Sequence, residues 1–355
     1  MENKPKKIIL AGGGTAGSVS PLLAIAEDLQ KSGNFEFLFL GTKKGPEAVM
    51  VAEAGIKFKK IIAGKLRRYF DWHNFFDLGK IAIAFWQAFF ILLKFKPDLV
   101  MSAGSFVAVP VVWAAWVLRI PIIVHQMDVR PGLANKLMAP FAKIITVTFE
   151  KSLSDYGAKA IFTGNPIRQL KIKNEKLKIL EEFNLKQNIP VVLVYGGGTG
   201  AEGINKLVEG GLENLITFCQ IIHSTGKGKM TAKRHDNYHP VEFLNAEEMA
   251  AALDVAEVVV ARAGLGAMTE ISAAGKPAII IPMPDSHQED NAALLLEKNA
   301  ALVLNQKLLN ADSFVVAIKS LLDNSARREE LSRNVRLVFR EGANKDIVKI
   351  IESLV

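Results

Sequence analysis

Two stretches constrain this chain more than anything else in it: "KKIILAGGGTAGSVSP" at residues 6–21 and "PVVLVYGGGTGAEGIN" at residues 190–205. Each is a short apolar run that breaks into glycines and continues with helical spacing. A strand that enters a glycine turn and leaves as a helix opens a doubly wound α/β domain. The same turn made twice points to two such domains. The rest of the chain keeps the rhythm. Strand signals lie at Lys7–Leu10, Glu36–Leu40, Leu99–Ser102, Pro121–His125 and Lys143–Val147, with helical stretches such as Pro21–Ser32 and Lys136–Ala142 between them. After "TGNPIR", residues 163–168, a polar, Lys-rich stretch runs to Asn188. Strands then resume at Val191–Tyr195, Phe218–His223, Val258–Ala261, Ala278–Pro282 and Ala301–Val303. Strands alternating with helices make a parallel sheet with both faces covered. The expected fold is α/β, two Rossmann-like doubly wound domains facing a cleft, which is the default ligand site. The first domain takes residues 1–163 and the second residues 164–343, with a turn or hinge at Gly164–Pro166. Residues 344–355 form a last helix.

The bulk numbers agree. A length of 355 residues fits two domains. The single cysteine, Cys219, excludes a disulfide within the chain and fits a reducing compartment. The start "MENKPKKIIL" carries no apolar leader segment, so a cytoplasmic protein is expected. The net charge of +8 is one-sided: residues 1–163 hold 21 Lys and Arg against 12 Asp and Glu, the remainder 23 against 24. A basic half asks for an anionic partner, whether nucleic acid, a phosphate-rich substrate or a membrane face. No zinc-finger spacing or RNP-like aromatic stretch supports a nucleic-acid module.

Gly12, Gly14 and Gly17 match G-x-G-x-x-G, and Gly196, Gly198 and Ala201 match its G-x-G-x-x-A relative. Such turns let the backbone approach a ligand closely and offer free N–H groups to an anion. A dinucleotide enzyme also needs an acidic residue ending the second strand. Here "FEFLFLGTKK" ends in Gly41 and Thr42, and "FCQIIHSTGK" in His223 and Ser224, which argues against a nicotinamide or flavin enzyme. Tight turns without a ligand remain the plain alternative. A carboxylate for a ribose stands elsewhere. "EVVVARAGLGAMTEISAAGKPAIIIP", residues 257–282, reads strand, turn, helix, strand, with Glu270 near the start of the helix. Glu270 either caps that helix or accepts both ribose hydroxyls. The polar loop "PMPDSHQEDNA", residues 282–292, brings His287, Gln288 and Asn291, which suit sugar hydroxyls or simply face water.

The ordered set "GGGTAGSVSPLLAIA", "HQMDVRPGLANK", "TGNPIR", "GGGTGAEGIN", "RAGLGAMTEISAAGKPAIIIP" and "HQEDNA" resembles the MurG family along essentially the whole chain. These are the bacterial lipid-linked muramyl-peptide N-acetylglucosaminyltransferases. The helix–strand piece is shared by many nucleotide-sugar transferases; "GNPIR" and "GGGTAGS" followed by proline are more specific. The resemblance implies the GT-B architecture and inverting transfer of N-acetylglucosamine from UDP-N-acetylglucosamine to the C4 hydroxyl of lipid I, making lipid II for peptidoglycan. It implies no cofactor and no required metal. It places Arg168 near the donor diphosphate and Gly197, Gly198, Thr199 and Gly200 at the donor-side turn. It places Leu244 at the uracil, Glu270 at the ribose, and His287, Gln288 and Asn291 at the sugar. On the acceptor side it places Gly13, Gly14, Thr15, Ala16, Gly17 and Ser18 at the lipid diphosphate, with Asn135 nearby. One diphosphate per glycine turn accounts for the duplication. In that family the last helix often packs back on the first domain.

Two departures bear on catalysis. The family turn reads G-G-T-G-G-H; here "GGTAGS" puts Ser18 where the histidine proposed as base stands, and a serine hydroxyl is a poor base near neutrality. The family's H-E-Q-N reads His125, Gln126, Met127, Asp128, so the carboxylate sits at the fourth position. Asp128 is the candidate base or orienting group, unless it merely opens the turn before "PGLANK". Many family members also carry a small polar residue at the position of Gly198.

The segment "KLRRYFDWHNFFDLGKIAIAFWQAFFILLKFKPD", residues 65–98, has an uncharged run of only Ile81–Leu93, against the roughly 20 residues a spanning helix needs. One face suits packing on the sheet. Trp72, Phe75, Phe76, Trp86, Phe89 and Phe90 exceed what one such face needs, and with the flanking lysines and arginines they suit an anionic interface. The implied partners are UDP-N-acetylglucosamine, an undecaprenyl-diphosphate-linked acceptor and the anionic cytoplasmic face of the membrane. The alternatives are a related transferase with another acceptor and a nucleotide-sugar-binding protein without turnover.

Overall fold

The computed structural model describes residues 4–42, 45, 47–62, 73–168, 179, 181, 183–197 and 200–355, side chains of 73–78 excepted. The chain divides into two compact units, Met1–Arg168 with Arg340–Val355, and Gln169–Phe339.

In the first unit β1 (Lys6–Ala11), β2 (Phe35–Gly41), β3 (Lys57–Lys60), β4 (Leu99–Ser102), β5 (Ile122–Gln126), β6 (Ile144–Val147) and β7 (Ala160–Phe162) form one sheet. Its order is β3-β2-β1-β4-β5-β6-β7 and its pairs are parallel. The connections carry α1 (Ser20–Ser32), α2 (Glu47–Glu53), α3 (His73–Phe95), α4 (Ala108–Val117) and α5 (Leu133–Met138). Because strands β4 and β5 are buried on both faces, they are apolar almost without interruption. Pro21 sits in the first turn of α1, where its missing N–H costs nothing, and the helix buries Leu22, Leu23, Ile25 and Leu29. Register places Ala11 beside both Leu40 and Ser102, so the loops leaving β1, β2 and β4 start level at one sheet edge. The order reverses between β1 and β4, which makes that edge the topological switch point.

The second unit repeats the plan. β8 (Val191–Tyr195), β9 (Gln220–Ser224), β10 (Tyr238–Val241), β11 (Val258–Ala261), β12 (Ala278–Ile280) and β13 (Leu302–Val303) pair in the order β10-β9-β8-β11-β12-β13. Helices α6 (Glu202–Leu215), α7 (Ala246–Val255), α8 (Leu265–Ala274), α9 (Gln288–Glu297), α10 (Ala311–Asp323) and α11 (Ser325–Arg336) accompany it. The switch point lies between β8 and β11, where Tyr195 pairs with Ala261. A last helix, α12 (Ala343–Glu352), belongs to the first unit. It buries Ala343, Ile347 and Ile351, one stripe at helical spacing. Its ends are pinned to α1: Asn344 Nδ2 donates to Asp28 (2.6 Å) and Ser32 Oγ donates to Glu352 (3.1 Å).

The central strands match the segments anticipated from apolar runs. Three strands were not anticipated: β3, β7 and β10. All three lie at sheet edges. β3 reads KFKK and β10 contains Pro240, the charged and proline-bearing compositions that edges tolerate. The anticipated helix Lys136–Ala142 is instead α5 followed by a 3-10 turn, Ala139–Phe141, where Pro140 enters.

Candidate active site

The first glycine turn leaves β1 at the switch point. Gly13 and Gly14 have φ of +147° and +80°, which only glycine adopts without strain. Ser18 is buried and turned back on its own loop. Its Oγ accepts from Gly13 N–H (3.3 Å) and lies 3.3 Å from the Gly13 carbonyl and 3.4 Å from that of Thr15. The Gly14 N–H donates to Glu47 Oε2 at 3.2 Å. From the loop after β4, Ser105 Oγ donates to the Gly13 carbonyl at 2.8 Å, and Ser105 holds φ +83° to do so. Among the described residues, the amides of Thr15, Ala16, Gly17 and Ser18 have no protein acceptor. α1 then begins at Val19 with no side-chain cap and no acid in its first turn. Side-chain caps stand only on α7, α10 and α11, from Asn245, Asn310 and Asn324, among the α-helices whose caps are described; α1 shares its uncapped start with α4, α5, α6, α8, α9 and α12. The Val19 and Ser20 amides bond the Ala16 carbonyl, so the donors this turn offers an anion are the amides of residues 15–18.

A buried polar network stands at the end of β5. His125 Nδ1 meets Thr146 Oγ1 (2.9 Å), and Nε2 meets Asn165 Oδ1 (3.1 Å) and Thr148 Oγ1 (3.3 Å). Burial pushes this imidazole down to about 4, and both ring nitrogens are engaged. Asn135 Nδ2 donates to Gln126 Oε1 (2.5 Å), which also accepts from Tyr156 OH (2.9 Å). Gln126 Nε2 in turn donates to the Asp128 carbonyl (2.7 Å). Asn135 therefore fixes the backbone of the Asp128 loop through Gln126, and the Asp128 residue itself is half-buried.

In the second unit Gly197 has φ +81° and Gly200 φ +70°; a Cβ on Gly200 would strike the Thr225 carbonyl. Gly198 and Thr199 lie outside the described residues. The backbone behind the turn is held by Asn205, whose Nδ2 donates to the Thr225 carbonyl (2.9 Å) and whose Oδ1 meets His223 Nε2 (3.1 Å). α6 starts at Ala201, again without a side-chain cap. Glu270 is not at the start of α8 but in its second turn, so the capping reading falls; the cap position is Gly264. Its carboxylate lies 3.5 Å from Tyr195 OH, and burial pushes it up to about 7 while the tyrosine bond acts the other way. The sugar-side stretch is only partly a loop: α9 begins at Gln288, with His287 at its cap position. Gln288 Oε1 accepts from Met283 N–H (2.9 Å), and the fully buried Asn291 donates to the Ala263 carbonyl (3.1 Å). These bonds tie the loops after β11 and β12 to α9. Leu244 is buried between β10 and the α7 cap. Arg168 lies in the first unit, its Nε 3.6 Å from Glu27 of α1.

Two family models match: the glycosyltransferase family 28 N-terminal domain over residues 8–147 and the family 28 C-terminal domain over residues 191–349. A Clostridium botulinum protein named UDP-N-acetylglucosamine–N-acetylmuramyl-(pentapeptide) pyrophosphoryl-undecaprenol N-acetylglucosamine transferase is 36% identical, over 98% of this chain and 99% of its own. A Legionella pneumophila protein of the same name is 37% identical over 97% and 96%. The chain belongs to the MurG family of glycosyltransferases. Solved structures share its fold. Acinetobacter baumannii MurG has a TM-score of 0.71 at 24% identity, covering 98% of this chain and 100% of its own. A UDP-GlcNAc 2-epimerase from Neisseria meningitidis has 0.74 at 15%, with the same coverage.

Several residues that shape these turns carry no motif signal. Glu47, Ser105 and Tyr195 reach partners 33, 92 and 75 positions away. Arg262 stands inside a motif yet escaped notice; it is buried and its Nη1 donates to the Ile281 and Pro282 carbonyls (3.0 and 3.1 Å), framing the loop before α9. Of the aromatic residues singled out on 65–98, Trp72 lies outside the described residues and so do the side chains of Phe75 and Phe76. Trp86 and Phe90 are exposed on α3, while Phe89 leans on the core.

Proposed function

We propose that this chain transfers N-acetylglucosamine from UDP-N-acetylglucosamine to the C4 hydroxyl of lipid I, with inversion, to make lipid II. The whole-length similarity to proteins named for that transfer carries the reading. The geometry supports it: two glycine turns, each at the switch point of its own sheet, suit two diphosphates. The amides of residues 15–18 receive the acceptor diphosphate, with Asn135 bracing the neighbouring loop. Gly197–Gly200 receive that of the donor, Glu270 the ribose, Leu244 the uracil through its backbone, and His287, Gln288 and Asn291 the sugar.

Displacement at the sugar C1 needs a base for the attacking hydroxyl. Ser18 is spent on its own loop, and His125 has both nitrogens bonded and titrates far below neutrality. Asp128, on a loop held by Gln126, takes the proton or orients the hydroxyl. The departing UDP is stabilised by the amides of the second glycine turn.

α3 supplies the membrane contact. Ile83, Trp86, Phe90 and Leu93 form an exposed stripe at helical spacing, opposite a buried one of Ile81, Ala84, Ala88 and Ile91. Among the described residues no helix is long and apolar enough to cross a membrane. The stripe, with Lys80 and Lys94 near it, suits peripheral attachment to the anionic cytoplasmic face, where the lipid acceptor resides.

The deciding experiment is UDP release with and without a soluble lipid I analogue, wild type beside Asp128→Asn. Acceptor-dependent release that falls by about a hundredfold or more in the variant supports both function and base. Equal release from both discards Asp128 and keeps the transferase. Donor binding without release in the wild type rejects the transfer to lipid I.

A further inference from the structure

One buried carboxylate of the first unit has no assigned role. Glu47, the first residue of α2, is fully buried. Its Oε1 accepts from Thr42 N–H (2.7 Å) and Thr42 Oγ1 (2.5 Å), and its Oε2 accepts from Gly14 N–H (3.2 Å). Gly13, Gly41 and Gly45 leave the room it fills; a Cβ on any of them would run into its side chain. A buried charge is retained where strong donors compensate it, and two loop amides and a hydroxyl do so here.

The Gly14 amide is the kind of donor a phosphate takes at a glycine turn. Here a carboxylate of the chain itself holds it, and a negative charge stands beside Gly13 and Gly14. The next amides, those of residues 15–18, remain without a protein acceptor among the described residues, just ahead of α1. Resting on the proposed function, we infer that Glu47 is a positioning residue for the acceptor diphosphate. By taking the Gly14 amide it fixes that peptide and confines the diphosphate to the amides of residues 15–18.

The test is Glu47→Gln in the full-length protein, with the soluble lipid I analogue as acceptor. Acceptor KM, kcat, donor Kd and Tm are read together. Glutamine keeps the size and one acceptor but sets an NH2 group against the Gly14 N–H. Acceptor KM should rise about tenfold, the loss expected for one charge-assisted hydrogen bond, with donor Kd near wild type and Tm lowered but the protein still folded. An acceptor KM that is unchanged or lower overturns the inference: Glu47 is then a loop brace or a competitor of the diphosphate. If Glu47→Gln fails to fold, Thr42→Val carries the test, because it removes one donor from the same carboxylate; it should raise acceptor KM, and Thr42→Ser should restore it. A wild type without acceptor-dependent UDP release overturns the proposed function and this inference with it. Turnover with unaltered acceptor KM in the variants overturns this inference alone.

Discussion

Tyr195 and Glu270 show how one contact sets a working pH. The Glu270 carboxyl sits near 7 because burial disfavours its charge, and the Tyr195 hydroxyl partly restores the charged form. In its proposed role at the ribose, Glu270 works ionised. Donor Kd should therefore rise as pH falls through about 7, and Glu270→Gln should flatten that dependence. Tyr195→Phe removes the bond that favours the ion, so the limb moves to higher pH and binding recovers above it. Donor Kd that ignores pH between 6 and 9, measured by calorimetry, would remove Glu270 from the ribose (about the range set by that carboxyl). Ser105 offers a second residue-scale test. It holds φ +83° while its hydroxyl bonds Gly13. Ser105→Ala keeps the strain and loses the bond, a cost of about 1 kcal/mol. Ser105→Gly loses the bond but relieves roughly 1 kcal/mol of strain, so its urea midpoint should stay near wild type.

At the scale of elements, α3 has two apolar faces and only one sheet to cover. The stripe of Ile81, Ala84, Ala88 and Ile91 is buried, and that of Ile83, Trp86, Phe90 and Leu93 is not. Trp86→Ser with Phe90→Ser should weaken binding to anionic vesicles in a sedimentation assay and leave Tm alone, because neither side chain is in the core. A fall in Tm without loss of vesicle binding would assign the stripe to packing instead. Edges teach the complementary lesson. β3, β7 and β10 gain their pairing from one neighbour and bury little of their own, so their composition carries no strand pattern.

For the whole molecule, acid should act unequally on the two units. His125 in the first unit and His223 in the second are both held near 4 by burial, against about 6.5 when unfolded. Each contributes stability that is complete above about 6.5 and is lost as pH falls toward 4, about 2 kcal/mol by pH 5. Glu270 acts oppositely in the second unit: its raised value favours the folded state as pH falls from about 7 to 4.5. In the second unit Glu270 thus offsets the loss at His223, although His239, lowered chiefly by burial, adds a loss of its own; the first unit has no such offset among the described residues. Limited proteolysis at pH 5 should open residues 4–168 before residues 183–339; the reverse order would show that other groups govern acid stability. Sequence by itself determined the two strand–turn–helix openings and the central strands, because these rest on local periodicity and on glycine's freedom at a turn; the donor and acceptor assignments rest on the family resemblance. Ser18's departure was legible only against the family's turn. Tertiary structure alone decided that Ser18 is turned onto Gly13, that Glu270 lies in the second turn of α8 against Tyr195, and that Glu47 holds the first glycine turn. The Glu47 and Glu270 contacts join residues far apart in sequence, and only the parallel strand order and register of each sheet bring their loops together; the Ser18 contact spans five residues but depends on how the glycine turn closes.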